Sequence, residues 1–204
     1  MSKVRVTYTA LISFGSNLIS VITGLVFVII VTRSLTPEEF GTWGLISGLL
    51  AYAIIISPMV CYWSTREIAR EEKSGKTAVS TSSMLSFLGV TIYLIIAYFV
   101  AKQSNLDESV ILFAAILLPV IFLNDILIAI LRGWKTHALN YGFLAFEISK
   151  IFFVAIFVYF WNLGVMGAIV AVFASYLPSI IILLIYNLPK IKDEFNSQYV
   201  KKWF

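Results

Sequence analysis

Three charged residues lie inside long apolar stretches of the sequence, where they could bind an ion, a proton or an anionic group. They are Asp125, Glu147 and Lys150. An ionisable side chain at membrane depth costs about 2.5–3.5 kcal/mol on insertion scales, so it usually faces a protein interior or a water-filled cavity. Glu147 and Lys150 are separated by one helical turn, so they share a helix face and can pair.

Two interpretations of these charges are open. Glu147 and Lys150 can form a self-compensating ion pair that holds two helices together. Alternatively, the charges line a water-filled cavity that handles an ion, a proton or an anionic head group. Asp125 favours the cavity, because Glu147 already has a partner on its own helix. Arg132 lies two turns beyond Asp125 on nearly the same face, so it belongs to the same candidate pathway.

The elements that must position these residues are membrane spans. The chain has 204 residues, of which 60% are hydrophobic and 13% charged, and its mean hydropathy is +0.93. Apolar runs of about 20 residues have the length that a helix needs to cross the hydrocarbon core. The sequence predicts an all-α membrane protein with six transmembrane helices, followed by a cytoplasmic or interfacial tail or linker over 189–204. The predicted spans are 8–32, 41–63, 83–101, 109–131, 139–160 and 164–188.

The depth of the charges follows from the helical rise of 1.5 Å per residue. Lys150 lies roughly 17 Å from Leu139, close to the bilayer midplane, and Asp125 lies about 9 Å from the end of the fourth span. A short turn joins the fourth and fifth spans, so we expect them to be adjacent and antiparallel. Asp125 and Glu147 are then expected at similar depths.

Lysine and arginine residues set the expected orientation. Twelve of them fall at the N-terminus, in the second and fourth loops and in the tail, whereas the opposite side receives only Arg33 and Lys102. Because such residues are enriched in cytoplasmic loops, both termini are predicted to be cytoplasmic. The same rule accounts for the net charge of +4 without nucleic acid as a partner. We expect a multi-pass protein of the plasma membrane.

The first span carries a stripe of small and polar residues at helical spacing, namely Ser13, Asn17, Ser20 and Gly24. Such residues allow helices to pack closely or to form hydrogen bonds across an interface. The alternative is that they line a wet cavity. In that case Asn17 is the member that we expect to face water, so it joins the candidates for a substrate or ion pathway.

Motifs for covalent chemistry are missing from the sequence. There is no phosphate-binding glycine loop and no His-Glu-x-x-His motif. The only histidine is His137 and the only cysteine is Cys61, so neither a multi-histidine nor a cysteine-rich metal site can form. We therefore predict no enzyme, no cofactor and no bound metal.

Three short motifs resemble a known family. Leu35–Gly41 reads Leu-Thr-Pro-Glu-Glu-Phe-Gly, Thr65–Arg70 reads Thr-Arg-Glu-Ile-Ala-Arg, and Leu131–Gly133 reads Leu-Arg-Gly. Together and in this order they resemble the polysaccharide (oligosaccharide) flippases of the multidrug/oligosaccharidyl-lipid/polysaccharide exporter superfamily. Two departures are Thr36 in place of the usual glycine and Ser57-Pro58 where the family tends to have a glycine-rich helix end.

The resemblance implies that the six spans form the N-terminal lobe of a MATE-like transporter with two lobes. The second six-helix lobe would come from the same full-length chain or from a homodimer. The implied partners are membrane lipid and a lipid-linked oligosaccharide on a polyprenyl phosphate or pyrophosphate, moved to the outer leaflet by alternating access. Lys150 or Arg132 could attract the phosphate.

Two other functions stay open at this point. One is a cation-coupled exporter of small molecules with the same fold, in which Asp125 and Glu147 bind a coupling ion such as H⁺ or Na⁺. The other is a membrane subunit that assembles a polysaccharide-synthesis complex and transports nothing. That subunit would tolerate neutralisation of Asp125, Glu147 and Lys150 together.

Overall fold

The computed structural model describes residues 6–70, 72–104 and 107–203, and the regular structure in these ranges is entirely helical. The helices are α1 (Val6–Ser34), α2 (Pro37–Ala53), α3 (Ser57–Ala69), α4 (Gly75–Ser104), α5 (Glu108–Phe113), α6 (Leu117–Trp134), α7 (Thr136–Val154), α8 (Gly164–Ile191) and α9 (Ser197–Trp203). A 3₁₀ turn (Ala114–Ile116) joins α5 to α6, and a π-helical segment (Ala155–Phe160) extends α7.

Within the described ranges, five helical segments are long and apolar enough to cross a membrane by length and composition. They are Leu11–Ser34, Gly75–Gln103, Glu108–Trp134, Thr136–Phe160 and Gly164–Ile191. The pair α2 and α3 brings the number to six if it counts as one span. Large apolar side chains on their outer surfaces are exposed, for example Val21 at 70% and Phe87 at 75%, as expected for helices that face lipid. The prediction of an all-α membrane protein is confirmed.

The second predicted span, 41–63, is not one straight helix. Helix α2 ends at Ala53, a turn follows, and α3 starts at Ser57 with its axis bent by 49°. Pro58 lies in the first turn of α3, where a missing backbone N–H is tolerated. The break makes α3 a separate half-length helix that extends to Ala69, beyond the predicted end of the span.

The motif that follows α1 forms a helix cap. The hydroxyl of Thr36 accepts a hydrogen bond from the backbone N–H of Glu39 (3.3 Å), and the Glu39 carboxylate accepts one from the Thr36 N–H (2.9 Å). This is a capping box, with Pro37 at the first helical position. Threonine at position 36 therefore has a clear local role, since its hydroxyl is the group that caps α2.

The start of α8 lies against the same carboxylate. Gly164 has a φ of +58°, a left-handed conformation that favours glycine, and a Cβ atom there would collide with the Glu39 side chain. Gly164 thus allows the sharp turn from the π-helical segment into α8. The contact brings the N-terminal ends of α2 and α8 together.

Helix α6 lies at the centre of the bundle. It contributes to all three clusters of buried apolar residues that the described chain forms. Its backbone carbonyl groups also accept hydrogen bonds from three neighbouring helices: from Thr65 to Ala129 O (2.9 Å), from Ser82 to Phe122 O (3.1 Å) and from Asn187 to Leu127 O (3.0 Å). Helices α3, α4 and α8 are therefore each tied to α6.

The segment after α8 packs on the protein. Helix α8 continues past Pro189 to Ile191, so the predicted tail begins inside a helix. Helix α9 then places Trp203, which is 2% exposed, in a cluster with Val60 and Ile68 of α3 and Ala78 of α4. This part of the tail lies against the ends of α3 and α4.

Substitution of Gly133 by alanine is expected to destabilise the contact of α6 with α3. A Cβ atom at this position would lie 2.7 Å from Thr65 O and 2.9 Å from Ile68 Cβ, and overpacking of this kind costs about 1–3 kcal/mol. Gly48→Ala is the matched control, because a Cβ atom there meets nothing within 4 Å. Thermal unfolding in detergent should show a lower midpoint for Gly133→Ala alone. Equal midpoints for the two variants would contradict the tight packing.

Candidate functional site

A groove runs between α3 and α6, and we call it the α3–α6 groove. Its volume is about 580 Å³. Its lining combines apolar side chains with hydroxyl groups, one carboxylate and two guanidinium groups. The lining residues are Ser57, Pro58, Cys61, Tyr62, Thr65, Arg66, Ala69, Asp125, Ile128, Ala129 and Arg132.

Asp125 lies at one end of this groove and joins its two walls. The hydroxyl of Ser57 donates a hydrogen bond to Asp125 Oδ2 at 3.0 Å. Ser57 is the first residue of α3, and Asp125 is in the middle of α6. The carboxylate therefore holds the start of α3 against α6, and its other oxygen is left for a group in the groove.

Arg66 and Arg132 lie at the opposite end of the groove, near the ends of α3 and α6. Both are exposed, and the Arg66 guanidinium lies 5.4 Å from the centre of the Trp63 ring. Within the described ranges the ion pairs are Glu147–Lys150 and Glu67–Lys202, so neither arginine is paired there. Two unpaired guanidinium groups at one end of a groove suit an anion, since each can donate two parallel hydrogen bonds to a phosphate.

Glu147 belongs to a different interface, between α7 and α1. Its carboxylate lies 2.6 Å from Lys150 Nζ and accepts hydrogen bonds from two α1 hydroxyls, Ser20 (3.0 Å) and Thr23. Glu147 is 3% exposed. These three donors compensate the charge of the carboxylate and occupy most of its acceptor sites.

Lys150 is enclosed by aromatic rings as well as by its carboxylate partner. Its ammonium lies 5.3 Å from the centre of the Phe146 ring and 6.0 Å from that of Phe27. An ammonium over a ring face is attracted by the ring quadrupole. Lys150 is thus held by Glu147 on one side and by the two rings on the others.

The structure does not bring all the candidate residues together. Asp125 and Arg132 line the α3–α6 groove, whereas Glu147 and Lys150 lie between α1 and α7. The reason is that α6 packs mainly on α3 and α8, while α7 packs mainly on α8 and α1. The short turn between α6 and α7 does not make their charged faces meet.

Asn17 joins neither group. It is exposed on α1, although two other members of its stripe have partners on α7. Ser20 donates to Glu147, and Ser13 accepts a hydrogen bond from Asn140 Nδ2 at 3.3 Å. The stripe therefore serves helix packing at Ser13 and Ser20.

Several contributors were not expected from the sequence, namely Ser57, Thr65 and Arg66 in the groove and Thr23 beside Glu147. One signal was available for Thr23, because it follows Ser20 by three residues and so shares its helix face. Arg66 belongs to the second motif, which lies beyond the predicted end of the second span. Because α2 ends at Ala53 and α3 continues to Ala69, this stretch forms part of one wall of the groove.

A family profile described as "Polysaccharide biosynthesis protein" matches residues 7–203 of the chain. The match therefore covers nearly the whole length, including both walls of the groove and the α1–α7 interface. No curated protein and no solved structure matches the chain.

Loss of Lys150 is expected to destabilise the protein more than loss of the whole pair. Lys150→Met leaves a buried carboxylate without its cation, and breaking a buried pair in this way costs about 3–5 kcal/mol. The double variant Glu147→Gln/Lys150→Met removes both charges and should recover most of that loss. The thermal unfolding midpoints of the wild type, Glu147→Gln, Lys150→Met and the double variant show how strongly the two charges depend on each other. Additive effects would show that the two charges do not depend on each other.

Proposed function

This chain belongs to the polysaccharide biosynthesis protein family, and from that premise we propose that it is a flippase for lipid-linked oligosaccharides. It is a multi-helix membrane protein of polysaccharide synthesis or transport. The proposed cargo is an oligosaccharide on a polyprenyl phosphate or pyrophosphate. The transport step needs no bond to be made or broken in the cargo.

The observation that carries the proposal is the distribution of charge along the α3–α6 groove. Arg66 and Arg132 lie at one end without acidic partners in the described ranges, and the single carboxylate, Asp125, lies at the other. Asp125 and Arg132 are seven residues apart on one helix, which corresponds to about 10 Å. The phosphate of the cargo would bind the arginines at one end of the groove, and a sugar hydroxyl would donate a hydrogen bond to Asp125 at the other end.

The size and lining of the groove suit the head of such a substrate. A volume of about 580 Å³ lies within the range of about 300–1,000 Å³ for small-molecule sites. It accommodates a phosphate group and the first sugars better than a whole oligosaccharide. The hydroxyl of Thr65 and the rings and methyl groups of the walls complete a surface for sugars, which have both polar edges and apolar faces.

The α1–α7 interface supports the flippase over the cation-coupled exporter. A coupling cation needs a carboxylate with free oxygen atoms, and Glu147 already binds Lys150 and two hydroxyl groups. We propose that this pair stabilises the packing of α1 on α7. Asp125 is then the remaining acidic candidate for an H⁺ or Na⁺ site, and a second six-helix lobe supplies the rest of the transport path.

Replacement of both groove arginines by alanine is expected to reduce transport. Loss of charge-assisted hydrogen bonds worth about 1.5–3 kcal/mol each corresponds to a decrease of about tenfold or more in cargo affinity. The assay follows translocation of the host's polyprenyl-pyrophosphate oligosaccharide in liposomes that contain the full-length protein. Arg66→Lys and Arg132→Lys should recover part of the activity, since they keep the charge but lose the bidentate geometry.

Arg70→Ala is the matched control, because Arg70 is an exposed arginine at the end of α3 that does not line the groove. Its transport should equal that of the wild type. Equal rates for Arg66→Ala/Arg132→Ala and Arg70→Ala would argue against the groove as the cargo site. Efflux of a hydrophobic cation by the same liposomes would favour the exporter, and no transport by the purified wild type would favour the assembly subunit.

The orientation of the chain in the plasma membrane can be tested with single cysteines in a Cys61→Ser background. Lys73→Cys lies in the loop between α3 and α4, and Asp107→Cys precedes α5. Because the positive charges cluster on the side of Lys73, an impermeant maleimide should label this position only in inside-out vesicles. Asp107→Cys should react only in right-side-out vesicles. The reversed pattern would place both termini outside.

A further inference from the structure

Helix α3 has two faces with different neighbours. Cys61, Thr65 and Arg66 line the groove, whereas Glu67 is buried on the other side. The side of Glu67 is covered in part by α9. Helix α3 is therefore a wall that separates the groove from α9.

The contact between α9 and α3 joins an apolar anchor to an ion pair. Trp203 is buried against Val60 and Ile68 of α3. Next to it, Lys202 Nζ lies 2.8 Å from Glu67 Oε1, with Glu67 1% exposed and the Lys202 side chain 52% exposed. A buried carboxylate without a cation is strongly unfavourable. The position of α3 that buries Glu67 thus depends on α9.

Two further bonds hold the rest of this segment in place. Tyr199 donates its hydroxyl hydrogen to Glu72 at 2.7 Å, and this bond raises the pKa of Tyr199 to about 12. The backbone N–H of Asn196 donates to the hydroxyl of Thr77 at 2.9 Å. The segment that carries α9 is therefore bound at its start, its middle and its end.

The other end of α3 is the bend after Ala53. A half-length helix with a bend at one end and α9 at the other can tilt as a unit, and such a tilt changes the width of the groove. Few backbone angles need to change, because the turn at 54–56 already separates α3 from α2.

We propose that α9 sets the position of α3 and thereby the opening of the α3–α6 groove, with Lys202 and Trp203 as positioning residues. When Lys202 is bound to Glu67, α3 stays close to α6 and the groove is narrow. When the pair is broken, the Glu67 carboxylate is more stable in water than in the protein interior. Its movement towards water carries α3 away from α6. This control of the groove's opening does not depend on which cargo the groove binds.

Cys61 reports on this opening, because it lines the groove and is the only cysteine in the sequence. The experiment measures the rate of Cys61 labelling by N-ethylmaleimide in the full-length protein in liposomes. Lys202→Ala should raise that rate about fivefold or more, the lower end of typical coupling between sites. Lys202→Arg keeps the ion pair and should label at nearly the wild-type rate.

Lys201→Ala is the matched control, since it removes the same charge from the neighbouring, exposed residue. A second control places the reporter outside the groove, at Thr136→Cys in a Cys61→Ser background. Faster labelling of Cys61 with unchanged labelling at position 136 would support the proposal. Unchanged labelling of Cys61 in both Lys202→Ala and Trp203→Ala would overturn it. Equal acceleration at Cys61 and at position 136 would also overturn it, because it would reflect general loosening.

Discussion

The packing of this bundle depends on hydrogen bonds from neighbouring helices to α6. In lipid, helices gain nothing from hiding apolar surface from one another, so packing and polar contacts decide which faces meet. Hydroxyl and amide groups of α3, α4 and α8 reach backbone carbonyl groups along α6. A further hydroxyl, that of Ser179, donates to Asn124 Oδ1 at 2.9 Å. These bonds explain why α6 is central.

The hydrogen bonds to α6 also separate the charged residues into two groups with different surroundings. Glu147 and Lys150 neutralise each other, and hydroxyl groups of α1 and aromatic rings complete their surroundings. Asp125 accepts a hydrogen bond from Ser57 of α3 and lies at one end of the α3–α6 groove. The groove is therefore where a ligand meets charged groups that have no ion-pair partner within the described ranges.

Helix α3 connects the fold to the proposed transport. The bend after α2 gives α3 a different axis from α2, and the hydroxyl of Ser57, the first residue of α3, donates a hydrogen bond to Asp125. Its last turns contribute Arg66 to the groove and Glu67 to the contact with α9. Adjacent residues on one short helix therefore face the site of the proposed cargo and the helix that holds the wall in place.

The amino-acid sequence was enough to predict the fold class, because continuous apolar runs of about 20 residues have the length of membrane-spanning helices, which satisfy their backbone hydrogen bonds within the segment. It also identified the pairing of Glu147 with Lys150, since their spacing on one helix makes the contact local. The cap on α2 has the same local origin in Thr36 and Glu39.

Which helix faces which could be seen only in the folded protein. Proximity along the chain favoured a common site for Asp125 and Glu147, yet the polar contacts of α6 turned Asp125 towards Ser57 of α3. The burial of Trp203 likewise arises from contacts between distant segments. Hydropathy reports how apolar a helix is, but the matching of hydroxyl, amide and carbonyl groups across helices selects its neighbours.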